Sequence, residues 1–230
     1  MCYSLLCLPF AWLYGFEDGI SNVEHNYNDN KKSTELRNGS IKRAWGNNME
    51  ISKWKEDILE KRNHKDIFFS SHYQSPIPFE QRQQFKALGY YPPDPDFRFE
   101  LELYEHEEKK ILKINDTQGN KRAFLRWGEF RFKIGDTECT LQAYKSNPHE
   151  DRLFVPFRDE TSGKETYGAG RYLDLDDEQH HTTDGKWILD FNSAYNPWCA
   201  YSAAYACPFV DPENWLKVAV RAGEKKYSPG

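Results

Sequence analysis

The sequence predicts an α+β fold, mainly an antiparallel β-sheet or barrel with N-terminal helices. Three observations predict it. Apolar residues recur at helical spacing in the first part of the domain, near residues 49–63. From residue 97 onward the period becomes two. Short apolar runs separated by turn residues then follow one another to the C-terminus, the pattern of antiparallel strands rather than of βαβ units.

Taken in order, residues 1–16 form an apolar run without the basic start or small-residue cleavage site of a signal peptide. Cys7 after Leu5 and Leu6 stands too near the start for a lipoprotein anchor, so the run reads as an extension packed on the domain or a poorly ordered end. Residues 20–48, rich in Asn, Asp, Lys, Ser and Gly, read as a solvated link. The expected organisation is an N-terminal extension and polar linker over 1–48 and a single β-rich domain over 49–230. Ile51, Trp54, Ile58 and Leu59 fall on one helical stripe with Lys and Glu opposite, which predicts an amphipathic helix over 49–63. A second short helix is expected over 79–88, with Phe79, Phe85 and Leu88 inward, and Pro92, Pro93 and Pro95 stop it.

Phe97, Phe99, Leu101 and Leu103 then alternate with polar residues as a half-buried strand, and 111–114 is a second. Runs over 121–127, 129–134 and 137–144 read as three more, with Gly135 and Asp136 a two-residue hairpin turn. Further strands are expected near 152–157, 170–175, 186–191 and 215–221. The chain has 230 residues, 16% of them aromatic, enough for a ring-rich core.

Composition excludes several classes. Formal net charge is -5, with Lys and Arg scattered among Asp and Glu, so no basic stripe exists to neutralise phosphates and nucleic acid is not an expected partner. No run of about 18 apolar residues predicts a membrane span. The cysteines (Cys2, Cys7, Cys139, Cys199, Cys207) are odd in number and no dense framework. A cytoplasmic protein with reduced thiols is therefore expected, with export or lipid anchoring the alternative. Neither a cofactor nor a metal site is expected, and oligomeric state is left open.

Candidate functional residues concentrate in 154–226. Gly168 and Gly170 do not make a dinucleotide loop, because Leu173 occupies the third glycine position and strand follows instead of helix. They read as a glycine bulge between Tyr167 and Tyr172. Arg158 and Arg171 sit among aromatic residues; each either pairs with a carboxylate such as Asp159, Asp190 or Glu224, or grips an anion bidentately. Cys199 and Cys207 admit a nucleophile, a disulfide switch, half a metal site, or buried inert thiols. The acidic loop from Asp174 to Asp184, with His180 and His181, lacks the ligand spacing of a calcium site and reads as solvated charge. Asn192, Asn196 and Asn214 read as partners for backbone groups in an aperiodic connection.

These same residues carry a resemblance. Phe157-Arg158-Asp159, Thr161-Ser162-Gly163, the run from Thr166 to Leu173, Asp190-Phe191-Asn192, Tyr195-Asn196-Pro197, Cys199-Ala200-Tyr201, Cys207-Pro208, Glu213-Asn214 and the run from Ala222 to Lys225 are similar to the C-terminal signature of the family known as domain of unknown function 1684. Trp54, Arg62, Lys65-Asp66, Phe68-Phe69 and Ser75-Pro76 resemble its N-terminal part. The resemblance covers about residues 49–227 and implies no reaction, cofactor or substrate. Members of that family commonly begin with a secretory or lipoprotein signal, from which the start of this chain departs.

The leading functional expectation is a binding module in which Arg158, Tyr167, Arg171, Tyr195 and Asn196 line a pocket for a small polar or anionic molecule. The alternatives are a hydrolase or transferase using Cys199 as nucleophile or Asp190 as general base, and a purely structural or interaction domain.

Overall fold

The computed structural model describes residues 48–176 and 178–228. The predicted extension and linker over 1–48 lie outside the described residues, apart from Asn48, and so does Asp177 of the acidic loop.

The expected α+β class holds, with a long helix before many antiparallel strands. Helix α1 spans Asn48–Ser71 and α2 spans Phe79–Arg82. Strands β1 to β8 span Arg98–Leu101, Tyr104–Glu105, Ile111–Asn115, Lys121–Ile134, Thr137–Lys145, Arg152–Phe157, Arg171–Asp176 and Trp187–Asp190. The main sheet runs β2-β4-β5-β6-β7, with β3 paired to the first half of β4, and β1 pairs with β8 in a separate ribbon. The sheet stays open, so of the two expected forms it is the sheet and not the barrel.

Helix α1 runs a turn or two beyond its expected end. The sequence pattern breaks at Lys61 to Lys65 because polar residues occupy the inward face there. Apolar burial resumes at Phe68 and Phe69, in register with Ile58 and Lys65. Leu59, placed on the inward stripe by the spacing, is 53% exposed. After α1 the Arg82 guanidinium donates to the carbonyls of His72, Ser75 and Ile77 and closes the connection. Helix α2 is therefore one turn, shorter than expected; Phe79 is 75% exposed, and only Leu88 of the expected inward set is fully buried.

The two strands expected over 121–127 and 129–134 are one. Strand β4 continues through a bulge between Arg126 and Gly128, where a Cβ on Gly128 would stand 2.8 Å from the Tyr104 carbonyl oxygen. The Gly135-Asp136 hairpin forms as expected, with Ile134 opposite Thr137. The strand expected over 215–221 does not form beyond a single parallel bridge from Trp215 to Arg158. Side chains satisfy the backbone there: Val220 N–H donates to Asp159, and the Val220 and Ala222 carbonyls accept from Arg171.

Two apolar clusters hold these parts together. Phe99, Phe130, Leu141, Leu153, Val155, Phe157, Leu173, Leu189 and Phe191 fill the larger, between the sheet and the β1–β8 ribbon. Phe68, Phe69, Ile77, Leu88, Trp198 and Tyr201 fill the smaller, which docks the end of α1 on the segment after β8.

Candidate functional site

Helix α1 is joined to the C-terminal half by buried polar contacts as well as apolar ones. Lys65 Nζ lies 2.8 Å from Glu224 Oε2, and both side chains are almost wholly buried. Glu224 also accepts from the Asn196 backbone and side-chain amides and from the Tyr201 hydroxyl. About three turns earlier, Trp54 Nε1 donates to Asp190 Oδ2 at 2.8 Å, while Asp190 Oδ1 accepts from the Asn192 amide and side chain. Buried charges left without such partners cost several kcal/mol, about 3–5 for breaking one pair.

Arg62 lies between these two anchors. Its Nη1 donates to the Tyr91 carbonyl at 2.8 Å and its Nη2 to the Asn192 carbonyl at 3.1 Å. The guanidinium lies 4.5 Å from the centre of the Tyr90 ring. Its Nε is buried with no hydrogen-bond partner. Burial pulls the guanidinium below its usual value, against the pull of Tyr90, Asp190 and Glu224.

Arg62 opens onto a cleft of about 390 Å³ between α1, β7 and the turn after β8. Ile58, Lys61, His64 and Lys65 of α1 form one wall with it, and Asp174, Asp176, His180 and Tyr195 stand among the opposing residues. Tyr195 O–H donates to Asp174 Oδ2 at 2.6 Å, and Arg152 Nε stands 3.7 Å from Asp174 Oδ1. Burial nevertheless holds the Asp174 carboxyl above its ordinary value. His180 Nδ1 accepts from the Asp176 amide at 3.0 Å, and burial lowers its pKa, so the neutral ring carries its proton on Nε2. The cleft thus sets cations on the helix against carboxyl groups on the strand.

Of the five residues predicted to line a pocket, Tyr195 lines this cleft. Asn196 lies behind it, bonded to Glu224 and to the Lys225 carbonyl. Arg171 is fully buried and donates to the carbonyls of Val220 and Ala222, with Asp159 Oδ1 at 3.5 Å, the paired arrangement that the sequence admitted. Arg158 lies over the Trp215 ring at 4.5 Å. Tyr167 O–H meets Cys199 Sγ at 3.7 Å, away from the cleft lining. Gly170 closes a turn before β7, and β6 and β7 pair without a bulge; at φ 103° a Cβ there would come within 2.6 Å of the Phe157 carbonyl oxygen. Asp190 has both oxygens engaged, as given above. Among the described residues no three His, Cys, Asp or Glu side chains converge as metal ligands. No described helix is long and apolar enough to cross a membrane.

The cations of the cleft were missed as site residues. Their signal was present: Trp54, Ile58, Arg62, Lys65 and Phe69 recur at spacings of four, four, three and four, so Arg62 and Lys65 share the inward stripe. A charged residue on a buried stripe demands a partner, and here two have one in Glu224 and in backbone carbonyls.

The comparisons with known proteins agree with the sequence resemblance. A family model described as "Protein of unknown function (DUF1684)" matches residues 83–225. The fold is similar to the solution NMR structure of an uncharacterized protein from Haloarcula marismortui, at 38% identity and a TM-score of 0.60, covering 77% of this chain and 96% of that one. No curated protein matches the chain. The chain belongs to the DUF1684 family.

Proposed function

We propose that this protein binds a small polar molecule carrying an anionic group in the cleft under α1. The observation that supports it is Arg62: a guanidinium in the cleft wall, fixed at three points, whose Nε–H is buried without an acceptor. An acid group of the ligand would take that donor, assisted by exposed Lys61 one residue away. His180 Nε2–H and the carboxyls of Asp174 and Asp176 would bind hydroxyl or amino groups on the remainder, and Ile58, Leu173 and Ala194 would take its apolar part. A volume near 390 Å³ fits a metabolite-sized molecule.

The test is the mass of the purified protein, native against denatured. Extra native mass lost on denaturation, or a rise in thermal midpoint with small carboxylates or phosphates that Lys61→Met reduces, is the expected result. A native mass equal to that of the bare chain, together with no midpoint change from either anion class, would contradict it.

An enzyme of hydrolase or transferase type is the second reading. The raised Asp174 carboxyl and the neutral His180 ring, both in the cleft, favour it. It places the acid–base groups there instead of at Cys199 or Asp190.

A further inference from the structure

Outside the cleft, the segment after the Trp198–Ala200 turn folds back and sets two thiols together. Cys199 is half-buried, Cys207 is fully buried, and neither is in a disulfide. The Cys199 backbone N–H lies 3.4 Å from Cys207 Sγ, and the two thiols share a hydrogen bond. Tyr167 O–H reaches Cys199 Sγ at 3.7 Å from the other side.

Cys207 is held from the opposite direction. Its N–H donates to Thr117 Oγ1 at 3.1 Å, its carbonyl accepts from the Thr117 amide at 3.0 Å, and Arg122 Nη2 donates to the neighbouring Ala206 carbonyl at 2.7 Å. The β3–β4 turn therefore presents the buried sulfur to Cys199 on a fixed support. Inert core thiols pack among apolar atoms. Here the half-buried sulfur instead meets a hydroxyl and a second thiol. The hydrogen bonds from Cys207, Tyr167 and Thr117 outweigh burial and hold the Cys199 thiol at about 7, so near neutrality much of it is thiolate.

We propose that Cys199 and Cys207 are a redox pair in which Cys199 reacts with a peroxide and Cys207 resolves the product to an intramolecular disulfide. In the first step the Cys199 thiolate attacks one peroxide oxygen. The S–O bond forms, the O–O bond breaks, and the departing hydroxide takes a proton to become water, leaving a sulfenic acid. In the second, the Cys207 sulfur attacks the Cys199 sulfur. The S–S bond forms, the S–O bond breaks, and the hydroxide leaves with the Cys207 thiol proton as a second water. Two thiols lose two electrons and one peroxide gains them. Cys199 is the attacking residue because it alone of the two is reachable from solvent.

The test treats the reduced full-length chain with hydrogen peroxide at neutral pH and maps its peptides without reduction. The expected product is a Cys199–Cys207 cross-link with the loss of two hydrogens, reversed by dithiothreitol. Cys207→Ser, its fold checked by circular dichroism, should instead accumulate a dimedone-reactive Cys199 bearing one oxygen. Cys199 should react at least about tenfold faster than Cys139, whose thiol burial pushes up. Two results would overturn the proposal. One is Cys199 reacting no faster than Cys139. The other is wild-type Cys199 passing to the sulfinic acid without a cross-link.

Discussion

Around Arg171 and around Arg62 the chain assembles two sites from the same materials: a guanidinium, an aromatic ring, backbone carbonyls and nearby carboxylates. At Arg171 the surroundings close completely. The side chain is inaccessible, both terminal nitrogens donate to carbonyls of the C-terminal segment, and Asp159 supplies the counter-charge while also accepting from the Val220 and Thr161 amides. At Arg62 two carbonyls and the Tyr90 ring fix the group, but the side chain stands in the wall of a cleft. The difference teaches that an arginine among aromatic residues is not by itself a ligand site. Both arginines keep a buried Nε–H without an acceptor; what matters is whether the group faces open space, and of the two Arg62 lines a cleft. The first site is scaffold, holding the end of the 215–221 segment; the second borders open space.

The sharpest way to break this comparison is Arg171→Met. It strands the Asp159 carboxylate and the Val220 and Ala222 carbonyls in the interior, so a loss of about 3–5 kcal/mol in urea unfolding is expected. A change near zero would remove Arg171 from the scaffold. Asn214→Ala tests the same support one contact away. Asn214 joins Gln142 N–H, Gln142 carbonyl and Pro156 carbonyl through its side chain, and its removal should cost about 1–3 kcal/mol in the same measurement.

Lys61→Met addresses the other region. Lys61 is exposed on α1, so stability should stay within about 0.5 kcal/mol. Affinity for a small carboxylate or phosphate should fall about tenfold, as for one lost charge-assisted contact. Calorimetric titration checks it. An unfolding change with no affinity change would assign Lys61 to the scaffold as well.

The smallest effect concerns pH. The folded state holds the Asp174 carboxyl above its ordinary value, so it binds this proton more tightly than the unfolded chain does. Its contribution is fully present below the ordinary carboxylate pKa and is lost as pH rises through the raised one. Asp174→Asn, which stays neutral, should therefore lose less stability than the parent between acid and neutral pH. Unfolding midpoints measured across that window give the sign directly.

Much of the fold was legible because its signals are local. Alternation marked β1, short runs between turn residues marked β3, β5 and β6, and Gly135-Asp136 marked the hairpin. Gly128 was read as a break between two strands because a glycine in a strand pattern can end it or bulge it, and only pairing with β5 decides. The segment over 215–221 meets only the short irregular stretch after β6, through bonds such as Leu216 N–H to the Arg158 carbonyl and Glu160 N–H to the Val218 carbonyl. Its remaining partners are the side chains of Asp159 and Arg171, distant in sequence. The site was less legible for a related reason. The signature in 154–226 is dense in Arg, Tyr and Asn because that segment's backbone depends on side chains, so density marked scaffold. The cleft needs α1, whose lysines read as the solvated side of an amphipathic helix.

The central claim is that the open region is the cleft under α1 and the closed one is the Arg171 cluster. Nuclear magnetic resonance titration of the isotopically labelled protein with a small carboxylate and with inorganic phosphate tests it most directly. The account predicts saturable amide shifts confined to residues 58–65, 173–180 and 192–195, reduced in Lys61→Met. Saturable shifts centred instead on residues 157–171 and 218–224, with the cleft unmoved, would contradict it.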